Sequence, residues 1–264
     1  MELGCGQQGL CRARGTGHHG GYAEEFLDGS SCDPTMAALE VAAGSGALTG
    51  ALSRRAGSVL ATDFSPEMVR LLRHRGRTEG WENVACAVMD GQALDVDDDR
   101  FDFVACTFAL MLFPDRARGL SEFRRVLRPG GRVMVSGWAT PERFEFFDVF
   151  LRAIKLTFPH LVQSGGPSPA FSLADLDDFR GQMQSAGFAG VEVGTVTREL
   201  SLSRTEDVWD ILAVGTPTVQ QIFDKIGADG KARLREALIG IVEREFGPSP
   251  FLFRNTATVG YGVA

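Results

Sequence analysis

The 264-residue chain has no run of eighteen apolar residues, only five cysteines at irregular positions, four histidines and two tyrosines. Each scarcity excludes something. Without a long apolar run no helical membrane span is expected, and the first residues lack the basic-then-apolar pattern of a secretory signal. An odd, unevenly spaced cysteine set makes no disulfide framework and suits a reducing cytoplasm, the expected location. Positive charge is also short: 27 Lys and Arg against 34 Asp and Glu leave a formal charge of −7. A nucleic-acid groove needs concentrated Lys and Arg, and the brief stretches "RARGTGHH" (12–19) and "RLLRHRGR" (70–77) do not supply it. Neither nucleic acid nor a membrane is therefore the expected partner. No internal repeat occurs, and the one low-complexity patch, "DVDDDRFD" (95–102), reads as a solvated loop.

What is present falls into two textures. Residues 1–33 are rich in glycine without sustained periodicity and read as a flexible leader. From Met36 onward short apolar runs alternate with helical patterns. The runs are "ALEVAA" (38–43), "SVLATDF" (58–64), "NVACAVM" (83–89), "FDFVACTF" (101–108) and "GRVMVSGW" (131–138). Between them lie "GALTGALSRRA" (46–56), "SPEMVRLLRHRG" (65–76) and "PDRARGLSEFRRVL" (114–127). Strands alternating with helices imply right-handed crossovers and a mostly parallel, doubly covered sheet. Ser65 and Pro66 suit an N-cap and first helical position, and "RPGG" (128–131) reads as a helix stop. A Phe-rich helical region, about 141–186, follows; in it Ser172 and Asp175 have capping-pair spacing. A strand over 190–200, helices over 205–246 and a closing strand over 255–264 complete the chain.

Two glycine turns compete for a ligand. "MELGCGQQG" (1–9) has no room for a preceding strand and no amphipathic helix after it, so Gly4 and Gly6 read as a decoy. "LEVAAGSGALTG" (39–50) has both: an apolar strand ending at Glu40–Ala43, a turn through Gly44-Ser45-Gly46, and a helix from Ala47. Glycine there lets backbone approach a ligand, with helix-start amides facing it. A dinucleotide fingerprint would place glycine at position 49, which is Thr49. Asp63 ends the next strand, where a carboxylate can hold ribose hydroxyls or simply cap a helix. Met68, one turn on, could cover an adenine face or pack in the core. Asp90 ends the third strand in "VMDGQAL", suited to an adenine amino group or to an Asp-Gly turn. Together these polar strand ends mark one sheet edge at the point where strand order should reverse.

In order and spacing, "LEVAAGSG", "ATDFSPEMV", "VMDGQALDVDDDRFDFV" and "EFRRVLRPGGRVMVSGW" resemble a class I S-adenosylmethionine-dependent methyltransferase, of the small-molecule type similar to the ubiquinone/menaquinone-biosynthesis enzymes. The resemblance covers about residues 37–138. It implies a three-layer α/β doubly wound fold, with a mostly parallel seven-stranded sheet in the order 3-2-1-4-5-7-6. The methyltransferase domain would span 34–264, with a helical cap over about 141–186 and inserted helices over about 205–246. It implies S-adenosyl-L-methionine as cofactor. Glu40, Ala42, Gly44, Ser45 and Gly46 would line its methionine portion and Asp63 would hold the ribose. Phe64 and Met68 would lie beside the adenine, Asp90, Gly91 and Gln92 would read its edge, and Thr107 and Phe108 would border the sulfonium. Three departures stand out. Ala42 occupies the usual first glycine, and Asp95 replaces a proline, leaving that loop looser. Of the N-terminal lid helix, only "GYAEEFLDG" (21–29) could serve, with Tyr22 either a contact or part of a surface helix.

Methyl transfer from a sulfonium is an in-line displacement with a leaving group already charged, so alignment and exclusion of water are the enzyme's main tasks. No nucleophilic triad or metal is required, and Cys5, Cys11, His18 and His19 fit no zinc spacing. Should the acceptor need a base, the candidates are His160, Asp148 and Tyr22, with Glu142 and Glu145 nearby; none is singled out. Phe144, Phe146, Phe147, Phe150, Phe158, Phe171 and Phe179 either pack a core or wall a mouth for an apolar or aromatic acceptor. The competing functions are a nicotinamide-dependent oxidoreductase on a related sheet and a non-catalytic cofactor-binding protein.

Overall fold

The computed structural model describes residues 20–163, 168–213, 217–247 and 249–264. Its elements, in chain order, are α1 (Gly20–Ser30), β1 (Ala37–Val41), α2 (Thr49–Arg55), β2 (Ser58–Asp63), α3 (Pro66–Glu79), β3 (Val84–Val88), β4 (Phe101–Thr107), α4 (Arg116–Val126), β5 (Leu127–Trp138), α5 (Glu145–Thr157), α6 (Pro159–Gln163), α7 (Leu176–Ser185), β6 (Ala189–Leu202), α8 (Thr205–Ala213), α9 (Pro217–Phe246, broken at Gly227) and β7 (Phe251–Val263). The seven strands form one sheet in the order β3-β2-β1-β4-β5-β7-β6, as the resemblance implies. Strands β1 to β5 pair in parallel, and β7 runs antiparallel to β5. Strand order reverses between β1 and β4, so their carboxyl ends flank the crevice where open α/β sheets take ligands.

Local chemistry sets the element ends. Ser65 caps α3 by accepting from the Met68 amide, Pro66 opens the helix, and Gly80 closes it in the left-handed region at φ 72°. This agrees with the sequence pattern. Helix α2 begins at Thr49, later than the spacing predicts, because residues 44–48 are spent in turns. Helix α7 is capped by Asp175, which accepts from the amides of Asp177 and Asp178. Ser172 instead donates to the Met111 carbonyl (3.3 Å), so the predicted capping pair does not form. "RPGG" lies inside β5 rather than ending a helix; the register shifts opposite Phe101–Phe103, and Gly130 takes φ +81°. The acidic loop after β3 is anchored despite lacking the proline. The Arg125 guanidinium donates to the carbonyls of Leu94 (3.0 Å) and Val96 (2.8 Å), and Glu122 accepts from the Leu94 amide at 2.8 Å.

The described residues divide into two compact units. The sheet unit comprises those of 19–139, 169–196 and 257–264. Its core includes Leu39, Val41, Leu72, Phe103, Val104, Phe123 and Met134, all at most 1% exposed. Helix α7 belongs here: Phe179 and Met183 are buried, and a Cβ on Gly260 of β7 would collide with both. The predicted cap over 141–186 is therefore not one body. Its first part, 140–168, groups with 197–256 in the second unit, whose core includes Phe146, Phe150, Phe223 and Phe253. Residues 1–19, with the glycine decoy and Cys5, Cys11, His18 and His19, lie outside the described residues, whereas 20–30 form α1. Among the described residues no helix is long and apolar enough to cross a membrane.

Candidate active site

The turn after β1 is built on left-handed residues: Ala42 (φ 57°), Gly44 (φ 56°) and Gly46 (φ 89°). At Ala42, which the resemblance sets where glycine is usual, the left-handed conformation carries about 1–2 kcal/mol of backbone strain. The turn is fixed to β2. The Ala43 amide donates to the Thr62 carbonyl at 2.8 Å, and the Gly44 amide donates to Asp63 Oδ2 at 2.9 Å. Asp63 Oδ1 accepts from the Ser65 amide, also at 2.9 Å. This buried carboxylate thus ties two loops together, and each oxygen retains a lone pair for a further donor. A Cβ added at Gly44 would meet nothing within 4 Å, so the turn opens to free space there.

Behind the turn, Glu40 is 1% exposed and accepts from the Thr49 hydroxyl at 2.5 Å. Burial pushes its carboxyl up to about 8; the Thr49 hydrogen bond and the Arg75 cation act against that rise, and Asp63 adds to it. Thr49 is the residue that replaces the third glycine of a dinucleotide fingerprint, and it is buried on the Glu40 carboxyl.

The other predicted positions surround the same strand ends. Phe64, next to Asp63, is 75% exposed. Met68 lies half-buried in the first turn of α3 and Ser45 is exposed on the turn. Asp90 Oδ1 accepts from the Gln92 amide (2.9 Å), Gln92 Oε1 accepts from the Asp115 amide (2.9 Å), and Gly91 is buried. A Cβ on Gly91 would strike Phe113 and Val41. Thr107 ends β4, and Phe108 follows in the left-handed region at φ 53°, its amide donating to the Ser136 carbonyl at 3.0 Å. A bulky residue in that region is a genuine outlier. Its ring lies 4.2 Å, centroid to centroid, from Trp138 and 5.5 Å from Tyr22. Tyr22 also stacks on Phe26 at 5.5 Å.

Tyr22 is 2% exposed and Phe26 is fully buried, so α1 is no surface helix. The Tyr261 hydroxyl donates to the Phe26 carbonyl (2.9 Å), an approach that Gly29 permits by lacking a Cβ. Phe26 and Trp138 were beyond sequence reasoning, since only the sheet brings the ends of β4 and β5 to α1. The remaining base candidates belong to the second unit. Asp148 is paired with Arg152 at 3.0 Å; burial raises its carboxyl and Arg152 opposes this. His160 is exposed, its ring edge-on to Phe158 at 6.2 Å. Glu145 accepts from the Arg254 amide (2.6 Å), and Glu142 is exposed.

A seven-stranded sheet of this order, with polar strand ends around an open glycine turn, defines a Rossmann-like, nucleoside-binding α/β protein. Known proteins narrow the class. A family model described as a methyltransferase domain matches residues 39–135. A demethylmenaquinone methyltransferase of Clavibacter sepedonicus is 31% identical over 168 residues, spanning 60% of this chain and 68% of its own. The Bacillus halodurans C-125 protein BH2331 superposes with a TM-score of 0.60 at 22% identity, covering 91% of this chain and 97% of that one. A Haemonchus contortus phosphoethanolamine N-methyltransferase, solved with S-adenosylhomocysteine, does so at 0.57 and 17% identity, over 92% of this chain and 52% of its own. The chain belongs to the class I S-adenosylmethionine-dependent methyltransferases, similar to the ubiquinone/menaquinone-biosynthesis enzymes. It is an enzyme that transfers the methyl group of S-adenosylmethionine to a small molecule.

Proposed function

We propose that S-adenosylmethionine lies across the carboxyl ends of β1 to β4, with its methionine portion on Glu40, Ala42, Gly44, Ser45 and Gly46. Asp63 takes the ribose hydroxyls, Phe64 and Met68 flank the adenine, and Asp90 with the Gly91–Gln92 backbone reads the adenine edge. Thr107 and Phe108 border the sulfonium. The observation that carries this reading is Asp63, a buried carboxylate whose two oxygens are each engaged by one loop amide beside the open turn at Gly44. Isothermal calorimetry with S-adenosylhomocysteine and, separately, NADH tests it: binding of the first and not the second is expected.

The acceptor is a small apolar or aromatic metabolite, met in the cytoplasm; the acidic charge balance argues against nucleic acid. The relative named above acts, by its name, on demethylmenaquinone, a choice in keeping with the aromatic wall of Tyr22, Phe26, Phe108 and Trp138. Chemistry at this site rests on alignment. Holding nucleophile, methyl and sulfur in line supplies about 7–11 kcal/mol of such a barrier, and the buried aromatic wall excludes water. Of the three base candidates, Tyr22 stands in the same unit as the cofactor set, and its ring contributes shape to that wall. A panel of quinols, phenols and amines with methyl-labelled cofactor identifies the acceptor.

A further inference from the structure

Gly44 and Gly46 lack side chains for different reasons. A Cβ at Gly44 would point into open space, but one at Gly46 would lie 2.6 Å from Leu72 Cδ1 and 2.9 Å from Trp81 Cη2. The same indole bears on Gly50 (3.2 Å from Cζ2) and Gly76 (3.1 Å from Cε3), so one ring occupies a slot that three glycines leave free. Arg75, one turn before the end of α3, lies over that ring at 5.5 Å. Its Nη1 donates to the carbonyls of both Ser45 (3.2 Å) and Gly46 (2.9 Å), while its Nε pairs with Glu79 at 2.7 Å.

Because a trans peptide points its C=O and N–H to opposite sides, fixing these two carbonyls on the α3 side fixes the next two amides on the other. The Gly46 amide accordingly donates to the Ala43 carbonyl at 3.0 Å. Ala43 and Gly44 are tied to β2 and the Gly46 carbonyl also accepts from the Gly50 amide at 3.4 Å, so Arg75 adds a side-chain hold on the Ser45–Gly46 stretch.

We propose that Arg75 is a positioning residue for the cofactor turn, braced by Trp81: it grips the Ser45 and Gly46 carbonyls from behind and so presets the turn's ligand-facing backbone. This rests on the placement of the cofactor given above. Arg75 is not among the residues placed against that cofactor; it acts through the turn, while its cation also opposes the rise of the Glu40 carboxyl. Preorganisation of this kind raises affinity by removing the cost of ordering the loop on binding.

The test is calorimetry of S-adenosylhomocysteine with the parent protein and with Arg75→Ala, Arg75→Lys and Glu79→Gln, alongside unliganded thermal melts. Arg75→Ala is expected to bind about five- to tenfold more weakly, the size of a charge-assisted hydrogen bond discounted for partial exposure. Arg75→Lys, which keeps a cation within reach of one carbonyl, should recover about half of that loss on a logarithmic scale. Glu79→Gln removes only the outer ion pair and should bind within twofold of the parent. Unliganded melting points of the lysine and glutamine variants should match the parent's, which separates preset geometry from general stability. Equal affinity of parent and Arg75→Ala overturns the proposal; if the alanine variant does not fold, equal affinity of parent and Arg75→Lys does so. A parent protein that binds no S-adenosylhomocysteine overturns the cofactor placement itself, and the proposal with it.

Discussion

Two aromatic clusters among the described residues are built in opposite ways. In the second unit, Phe144, Phe146, Phe147 and Phe150 come from one short stretch at the start of α5. Phe146 meets Phe253 and Phe150 meets Phe223 edge-on, with centroids 5.6 and 6.5 Å apart. Their density is a helix burying its apolar face: Phe146 and Phe150 are at most 3% exposed, whereas Phe147, one residue past Phe146, is only half-buried. In the sheet unit, Tyr22, Phe26, Phe108 and Trp138 come from three distant segments, and sheet topology alone unites them. The first cluster is conspicuous in the sequence and serves packing. The second is invisible there and stands at the carboxyl ends of β4 and β5. Local richness in one residue type therefore marks a core more readily than a site.

The contrast can be broken by substitution, beginning with the largest effect. Phe150→Ala empties a fully buried position and should lower unfolding free energy by about 3–5 kcal/mol, read from urea melts; a loss under about 1 kcal/mol would remove Phe150 from the core. Glu40 comes next. Its folded-state carboxyl is pushed up to about 8 from an ordinary 4.5, so between those values the folded state holds a proton that the unfolded chain has released. Stability contributed by this group is thus present in acid and lost as pH rises toward 8, a change of a few kcal/mol. Glu40→Gln should flatten that fall in melts at pH 5 and pH 8; an unchanged slope would show that Glu40 does not titrate in this window. Trp138→Leu is the smallest, and it sharpens the comparison. Turnover of an aromatic acceptor should fall about tenfold while S-adenosylhomocysteine affinity stays within threefold. Equal loss in both would make the sheet-unit cluster a packing core like its counterpart.

Legibility in the sequence followed the range of the forces involved. Caps and turns are local, so Ser65, Pro66, the Gly44 turn and the strand end at Asp63 were readable from spacing, whereas β3 stops at Val88 and Asp90 lies two residues beyond it, bridged to Ala93. The sheet order came with the resemblance, because register between strands sixty residues apart leaves no local trace. The errors have the same origin. Ser172 has a cap's spacing, but its hydroxyl is drawn to a carbonyl 61 residues away. Helix α1 reads as weakly periodic, yet Tyr22, Phe26 and Leu27 are buried in the structure. "DVDDD" looks like free loop, but Arg125, about 30 residues on, holds the Val96 carbonyl and the Asp98 carboxylate. The Arg75 and Trp81 brace behind the cofactor turn is likewise a contact between residues about 30 apart, with no motif to announce it.

The account depends most on Asp63 joining the Gly44 turn to the start of α3 while retaining lone pairs for a ribose. Calorimetric titration of S-adenosylhomocysteine into folded Asp63→Ala protein tests this most directly. Loss of two charge-assisted contacts predicts affinity at least about tenfold weaker than the parent's. Affinity equal to the parent's, in a variant that still melts cooperatively, would contradict it.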